Sequence, residues 1–478
     1  MSSTLPARLF RLVHRRKVEA LAGIPGPPPS FPLGNALDFL GKPPWEVFAG
    51  YGRAYGGMAL AWIGGTPVVV LNDPTLIARV LGAGSAGYYK DAPGKALEPV
   101  ITKRCLFIAN GDDWAYRRSI HPARGEVADE WLASVVPTLR DAVASGVRRL
   151  AERNPGGVDL YDGLERVAFD AFAVAAWGEP LGDGAYREFV ALGMVGDRRM
   201  QPPSQSAPPL CPMFYADRRR WYGRFDGLIE KARREADPSR TDLLARSLRR
   251  NPDVPRDDFR DLLANVFYGG VFSATSGLVT ALYLLAHHPA EEAILRDQLK
   301  GLDLGSPAVG PADLDACPRL GSIVLEALRY LTPVPLMARS VVTTRPVELG
   351  GHTLPPDTKL FLTNWAIHRS PDLWADPDRF DPGRWESGGA EAHPIGGPDF
   401  FPFGQGARTC VGMPFALAYM KTALATIISR HRVELDRSVP YKATYFFGVM
   451  IPRGLKGRFL PVGPLHADAP EDSDSPVG

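Results

Sequence analysis

Cys410 stands in the segment FPFGQGARTCVGMPFALAYMKTALATIISRH, where a glycine-rich loop delivers one cysteine to the start of an apolar-periodic helix beginning near Val411. A helix N-terminus favours negative charge, and its free backbone N–H groups can hydrogen-bond a sulfur. The position therefore predicts a thiolate able to ligate a metal. Gly404, Gly406 and Gly412 let the backbone pass close to a flat group with no Cβ in the way, and Arg408 supplies a cation for an acidic one. Cys105, Cys211 and Cys317 lie far apart, with no CxxC pair and no Cys/His cluster. That argues against a zinc site or a disulfide framework and leaves these three as inert thiols.

Two further pairs carry chemistry by spacing. In GDDWAYRRSIHP, Trp114 and Arg118 are four residues apart on one helical face and offer an indole N–H and a cation to a carboxylate. In LEALRYL, Glu326 and Arg329 are three apart and can pair while the apolar residues face inward.

Phe403, Gly406, Arg408, Cys410 and Gly412 reproduce the pattern F-x-x-G-x-R-x-C-x-G, and on these residues the chain resembles the cytochrome P-450 superfamily. The resemblance extends from about Gly23 to Gly463. It implies haem b, with Cys410 as proximal ligand of the iron and Phe403, Gly406, Arg408 and Gly412 shaping its cradle. It also implies Trp114, Arg118 and Arg339 as contacts of the haem propionates, with His368 as a further candidate. The family's E-x-x-R helix pairs with a downstream arginine, for which Arg379, followed by Phe380, is the candidate. That network is structural and not catalytic.

One segment departs from the family. Where most members carry A/G-G-x-D/E-T-T, to help deliver protons for dioxygen reduction, this chain reads Gly269, Gly270, Val271, Phe272, Ser273, Ala274. Ser273 keeps a hydroxyl that can hold water, whereas Phe272 cannot relay a proton. Phe272 is expected to face the pocket beside Ser273, the alternative being a core aromatic at helical spacing. Two chemistries follow: a reductant-driven monooxygenase with protons arriving through Ser273, water or the substrate, or a peroxide-driven oxidation, oxidative coupling or rearrangement.

The resemblance thus implies oxidation of an apolar or amphipathic small molecule such as a secondary metabolite, terpenoid, fatty-acid-like or aromatic compound. Electrons would come from a ferredoxin or flavodoxin with its reductase. Lys103, Arg104, Arg117 and Lys421 are candidates for the donor's docking face, or equally an ordinary solvated surface. A haem sensor without turnover is the alternative from another class, and product formation would discriminate against it.

The elements that must position these residues are mostly helical. Apolar residues at three- and four-residue spacing predict helices over 130–152, 160–177, 219–236, 256–286, 290–299 and 318–330. Strands are expected at 58–62 and 67–71, as a hairpin about Gly64 and Gly65, and at 339–342, 347–349 and 359–362. QPPSQSAPPLCP, 201–212, reads as a proline-rich loop or lid. The segments 88–110, 194–215 and 332–337 read as mixed loops shaping the pocket.

Length alone suggests about three domains. The resemblance overrides this with one large domain over 23–463, mainly α with a small β-rich part, preceded by a basic segment, 1–22, and followed by a disordered acidic tail, 464–478. The hydrophobic share of 45% and charged share of 23% are those of a compact globular protein. The 55 basic and 53 acidic residues leave +2, which argues against nucleic acid as the main partner. Every short apolar run before Gly23 is broken by Arg, His or Lys, so neither a signal-peptide core nor a membrane span is expected, and the reading is cytoplasmic. Leu9, Phe10, Leu12 and Val13 among Arg8, Arg11, Arg15, Arg16 and Lys17 can form a basic amphipathic helix with weak membrane-surface contact, or a solvated terminal helix.

Overall fold

The computed structural model describes residues 4–90, 92–123, 126–200, 211–439 and 441–463. The tail at 464–478 and most of the proline-rich loop at 201–210 lie outside these residues.

The N-terminal segment forms two short helices, α1 (Leu5–Val13) and α2 (Arg15–Ala20), ahead of the proline lead. Phe10 and His14 pack on Trp62, and Lys17 Nζ donates to the Gly65 carbonyl. This attaches both helices to the hairpin β1 (Met58–Ile63) and β2 (Thr66–Leu71), which turns at Gly64 and Gly65 as expected. Helices α3 (Pro44–Tyr55) and α4 (Pro74–Leu81) flank the hairpin, each with proline in its first turn, where the missing N–H costs nothing. The Asp73 carboxylate caps α4 by accepting from Leu76 N–H.

The hairpin becomes a five-stranded sheet of order β1-β2-β8-β5-β3, with β3 (Tyr88–Tyr89), β5 (Met337–Val341) and β8 (Lys359–Leu362). Strand β8 runs parallel to β2 and all other neighbours are antiparallel. A second hairpin, β6 (Val347–Leu349) and β7 (His352–Leu354), lies beyond it.

The body is helical, from α5 (Ala92–Ile101), α6 (Gly111–Ser119), α7 (Glu126–Arg153) and α8 (Leu160–Trp177) through α9 (Gly182–Met200), α10 (Pro212–Glu235) and α11 (Leu243–Arg250) to α12 (Arg256–His287). Helix α8 has both expected ends: the Asp159 carboxylate accepts from Tyr161 and Asp162 N–H, and Gly178 stops it in the left-handed conformation. Helix α12 is long and apolar enough to cross a bilayer, yet 72% of its most apolar stretch is buried inside the protein. It is the axis of the main core, packed by α8, α10 and two later helices, α15 (Pro318–Tyr330) and α18 (Met413–Arg430). Short helices α13 (Pro289–Leu299), α14 (Pro311–Asp315), α16 (Asn364–Ile367) and α17 (Gly389–Ala392) fill the periphery. The chain ends in two further β units that periodicity did not predict: the hairpin β10 (Lys442–Phe446) and β11 (Val449–Arg453), and the ladder β4 (Val158–Asp159), β12 (Lys456–Pro461) and β9 (His431–Leu435). The fold is mainly α with small β sheets.

Three local expectations differ. The segments 88–110 and 194–215 are not simply loops, because α5 and the ends of α9 and α10 occupy much of them. The third charged partner of the buried Glu326–Arg329 pair is Arg384, not Arg379. Glu326 Oε1 accepts from Arg384 Nε at 3.1 Å, whereas the exposed Arg379 offers its backbone carbonyl to Arg329 at 3.3 Å. The helix after Cys410 starts at Met413, two residues later than expected.

Candidate functional site

The loop before α18 is closed by Cys410 N–H donating to the Phe403 carbonyl at 2.9 Å. Gly404 and Gly406 hold φ of +76° and +65°, the left-handed region that glycine adopts without strain. At Gly406 a Cβ would also sit 2.4 Å from the Leu81 carbonyl oxygen. The glycine is thus required by the close approach of the loop to the end of α4. Phe403 is half-buried against the main core and anchors the loop's first residue.

The Cys410 side chain is accessible although protein surrounds it on all sides, which is how a residue lining an interior cleft behaves. The backbone amides of Gly412 and Met413 hydrogen-bond the sulfur, and Lys90 and Arg118 add positive potential. Burial outweighs these influences and leaves the thiol above its ordinary cysteine value. The helix end and the cations thus offset only part of the desolvation that the expected thiolate meets at this position.

Four cations converge beside this sulfur. The guanidiniums of Arg118, on α6, and of Arg408, in the loop before α18, lie against the Trp114 ring of α6, at 5.7 and 4.6 Å from its centre. Arg118 donates to the Thr409 carbonyl at 3.0 Å, and Arg408 to the Ala109 carbonyl at 2.8 Å and to Asn110 Oδ1 at 3.1 Å. Arg339, on β5, is 8% exposed and donates to the Ala338 carbonyl. Lys90 completes the group. Its backbone N–H and carbonyl are both bonded to the Asn110 side chain, and its ammonium lies 4.2 Å from the Phe107 ring centre.

Burial and mutual repulsion hold these cations below their usual values. Lys90 is brought down to about 7 by burial, then by Arg339 and Arg408. Arg339 is lowered to about 10 by burial and Arg408, and Arg408 to about 10 by burial and Arg118. No carboxylate among the described residues forms an ion pair with Lys90, Arg339 or Arg408. Buried positive charge without a counter-ion is costly, and a ligand bearing two carboxylates would offset it.

The arrangement fits a flat metallated group with two acidic arms: a thiol at one place and beside it a cationic cluster in which Lys90, Arg339 and Arg408 have no ion pair among the described residues. Lys90 and Asn110 escaped the sequence reading, because a lone lysine and asparagine in a loop carry no periodic signal. His368 does not join the cluster. It is fully buried, its Nε2 accepts from Phe401 N–H, and its carbonyl accepts from Arg329. Burial, and then Arg329, lower it to about 3, so it stays a neutral structural residue.

Between Asp261 and Leu282 on α12, only Val266, Gly269, Gly270 and Ser273 are accessible. Their spacing of three to four residues puts them on one face, so a single stripe of this otherwise buried helix borders a cavity. A Cβ at Gly269 would meet nothing within 4 Å, whereas at Gly270 it would strike the Phe172 ring. Ser273 is on the stripe, and its hydroxyl donates to the Gly269 carbonyl at 2.8 Å.

Phe272 is not on the stripe. It is 1% exposed, stacks on Phe189 at 4.7 Å and meets Phe446 edge-on at 5.3 Å. The expectation of a pocket-facing Phe272 is corrected: its ring belongs to an aromatic core shared by α9, α12 and the β10–β11 hairpin. Its ring also meets Phe447 at 5.8 Å, and its carbonyl accepts from Tyr161 Oη at 3.2 Å.

The basic residues expected to form a donor-docking face are largely neutralised. Arg104 reaches Asp257, Asp258 and Asp261. Arg117 is buried between Asp113 and Asp258, and Lys421 pairs with Asp315. Only Lys103 of the four is exposed with no ion pair among the described residues.

A family profile described as Cytochrome P450 matches residues 24–456. Cytochrome P450 734A1 of Arabidopsis thaliana is 25% identical over 90% of this chain and 89% of its own length. Cyclooctatin synthase of Streptomyces melanosporofaciens is 26% identical over 85% and 89%. The crystal structure of the cytochrome P450DA heme domain superposes with a TM-score of 0.79 over 93% of this chain and 99% of that one, at 22% identity.

Proposed function

The chain belongs to the cytochrome P450 family of haem-thiolate monooxygenases, and on that premise we propose that it oxidises an apolar or amphipathic small molecule at haem b ligated by Cys410. The observation that carries the proposal is the accessible Cys410 thiol, held by two backbone amides beside Lys90, Arg118, Arg339 and Arg408. When bound, haem supplies the activation of dioxygen and the bond chemistry. The protein supplies the rest. The Gly412 and Met413 amides hold the sulfur, the four cations and Trp114 take the propionates, and Phe403 and Gly406 fix the loop. Ser273 presents the only hydroxyl on the accessible stripe of α12, where it can orient water and substrate and hold a proton at Oγ. Phe272 acts by packing.

Substrates in the range of terpenoids, fatty-acid-like and aromatic metabolites suit this reading, since the stripe of Val266, Gly269 and Gly270 is apolar. Electrons would come from a ferredoxin or flavodoxin with its reductase, in the cytoplasm, with 23–463 as the haem domain. The lack of an acid at position 272 favours a second reading, in which peroxide is the oxidant or the reaction needs no external electrons. Turnover with a surrogate redox chain set against turnover with peroxide distinguishes the two.

Weak membrane-surface contact belongs to the same proposal. Outward from the buried Ala7 and Phe10 of α1, the opposite face presents Leu5, Leu9 and Leu12, with Leu5 79% and Leu12 72% exposed. The hydrogen bond from Phe31 N–H to the Pro6 carbonyl brings exposed Phe31 and Leu33 alongside. Arg11, Arg15, Arg16 and Lys17 flank this patch, which suits the anionic surface of a lipid bilayer.

The central proposal is tested by the reduced carbon monoxide complex. The wild type should show the red-shifted Soret band of thiolate ligation and Cys410→Ser should lack it. A band that survives in Cys410→Ser overturns the assignment.

A further inference from the structure

We propose that this protein has a second ligand site, a cationic cleft that binds a small polyanion carrying phosphate or clustered carboxylates. The cleft, about 530 Å³, lies where the ends of α5 and α9 meet the starts of α10 and α12, and a second hollow of about 360 Å³ adjoins it. Both are of metabolite size.

Six cations line the two hollows: Lys103, Arg104, Arg199, Arg218, Arg219 and Arg260. Three carboxylates face them: Glu98, Asp226 and Asp261. Two of the three are already engaged. The fully buried Asp261 takes Arg260 at 2.8 Å, Arg104 at 3.8 Å and the Thr102 hydroxyl at 2.8 Å. Asp226 takes Arg256 at 2.8 Å and Arg260 at 3.5 Å. Glu98, at the rim, has no ion pair among the described residues. Lys103, Arg218 and Arg219 form no ion pair among the described residues, and Glu98 alone offsets only one of their three charges.

Arg218 is the sharpest sign of a missing partner. Its guanidinium lies 5.3 Å from the Tyr222 ring centre, and its Nε–H is buried with no acceptor among the described residues. Buried guanidinium N–H groups are strong donors in a fixed fork, and an unmet one is expensive. Tyr222 is itself fixed, with its hydroxyl donating to the Val100 carbonyl at 2.8 Å and Arg260 also lying over its ring, 5.7 Å from the centre. Arg218 thus rests on a fixed ring and lines both hollows, where a guanidinium suits recognition of phosphate or carboxylate.

The site is remote in composition from the one that holds the haem propionates, since the two share no cation. Lys103 and Arg104, considered from sequence for donor docking, find their place here.

The test titrates the haem-loaded enzyme with pyrophosphate and with citrate by calorimetry at low ionic strength, against sodium chloride matched in ionic strength and against oligoglutamate. Saturable one-to-one binding of pyrophosphate or citrate is expected, weakened at least tenfold in Arg218→Gln and less in Arg218→Lys. The carbon monoxide spectrum and circular dichroism of each variant should match wild type, which separates loss of binding from misfolding. Should both variants misfold, Lys103→Gln and Arg219→Gln, two exposed residues, must show the weakening. Binding that is absent, that is matched by chloride, that is confined to oligoglutamate, or that is unchanged in the variants overturns the proposal.

Discussion

Replacing Arg384 by methionine should destabilise the protein by about 2 kcal/mol, whereas Arg379→Met should cost under about 0.5 kcal/mol. The Glu326 carboxylate is fully buried and accepts five hydrogen bonds: two from Arg329, both at 2.8 Å, and one each from Arg384 Nε at 3.1 Å, Asp381 N–H at 3.0 Å and Trp385 Nε1 at 2.9 Å. Without Arg384 the carboxylate keeps Arg329 as counter-ion and two neutral donors. The main loss is then the charge-assisted hydrogen bond to Glu326, worth about 1.5 to 3 kcal/mol, at a side chain only 12% exposed; the donations of Arg384 to the Ala375, Asp376 and Arg379 carbonyls, at 3.1, 3.5 and 3.4 Å, go with it but are exposed, where water replaces them. Arg379 contributes a carbonyl, which its replacement retains. Glu326→Gln is the upper reference, because it strands the fully buried Arg329 guanidinium and should cost about 3 to 5 kcal/mol. Equilibrium urea unfolding followed by tryptophan fluorescence measures all three, with the carbon monoxide spectrum reporting whether haem ligation persists. An Arg379→Met variant as damaged as Arg384→Met, or a Glu326→Gln variant as stable as wild type, would refute the assignment of the network.

Three further outcomes are expected. Ser273→Ala should release more peroxide per electron consumed if its hydroxyl manages water at the accessible stripe, and unchanged coupling removes that role. Glu165, whose carboxyl burial pushes up to about 7 against its bonds from Tyr186 and Tyr161, favours the protonated form when folded. Its contribution is complete below pH 4.5 and lost as pH rises through about 7, so Glu165→Gln should gain up to about 3 kcal/mol on wild type at pH 8 and little at pH 4.5. Equal urea midpoint differences at the two pH values would contradict this. Flotation with vesicles should recover more protein on phosphatidylserine than on phosphatidylcholine, and Leu5→Ser with Leu9→Ser and Leu12→Ser should abolish it; recovery unaffected by these changes assigns the patch another role, such as self-association.

What the sequence conveyed depended on whether physical constraint was local. Helices α8 and α15 were legible to the residue because Asp159 and Gly178, or the proline after Cys317, mark ends that propensity alone can read. The loop around Cys410 was legible because glycine, arginine and cysteine each have few substitutes there. Helix α9 was missed because six glycine or aspartate positions dilute its apolar period. The strands after His431 are short and half-exposed, with weak alternation. Arg384 and Arg379 are indistinguishable by residue type, and which one turns inward depends on the irregular chain between Asp376 and Trp385. The helix end at Cys410 was visible, but not how far burial would outweigh it. Lys90 and Asn110 acquire meaning only when β3 and α6 bring them beside Arg408.

The pairing of β2 with β8 has a consequence for how the chain is made. Val68 pairs with Lys359, about 290 residues later, and at ordinary rates of translation that delay is about 15 to 60 s. Throughout it the apolar hairpin β1–β2 is complete on one side and open along Val68, Val69, Val70 and Leu71 on the other. An open strand of valines invites pairing with a neighbouring nascent chain. Yield in a cell should therefore depend on chaperone capacity and on growth temperature, and a charge introduced along that edge would trade early safety for a sheet that never closes.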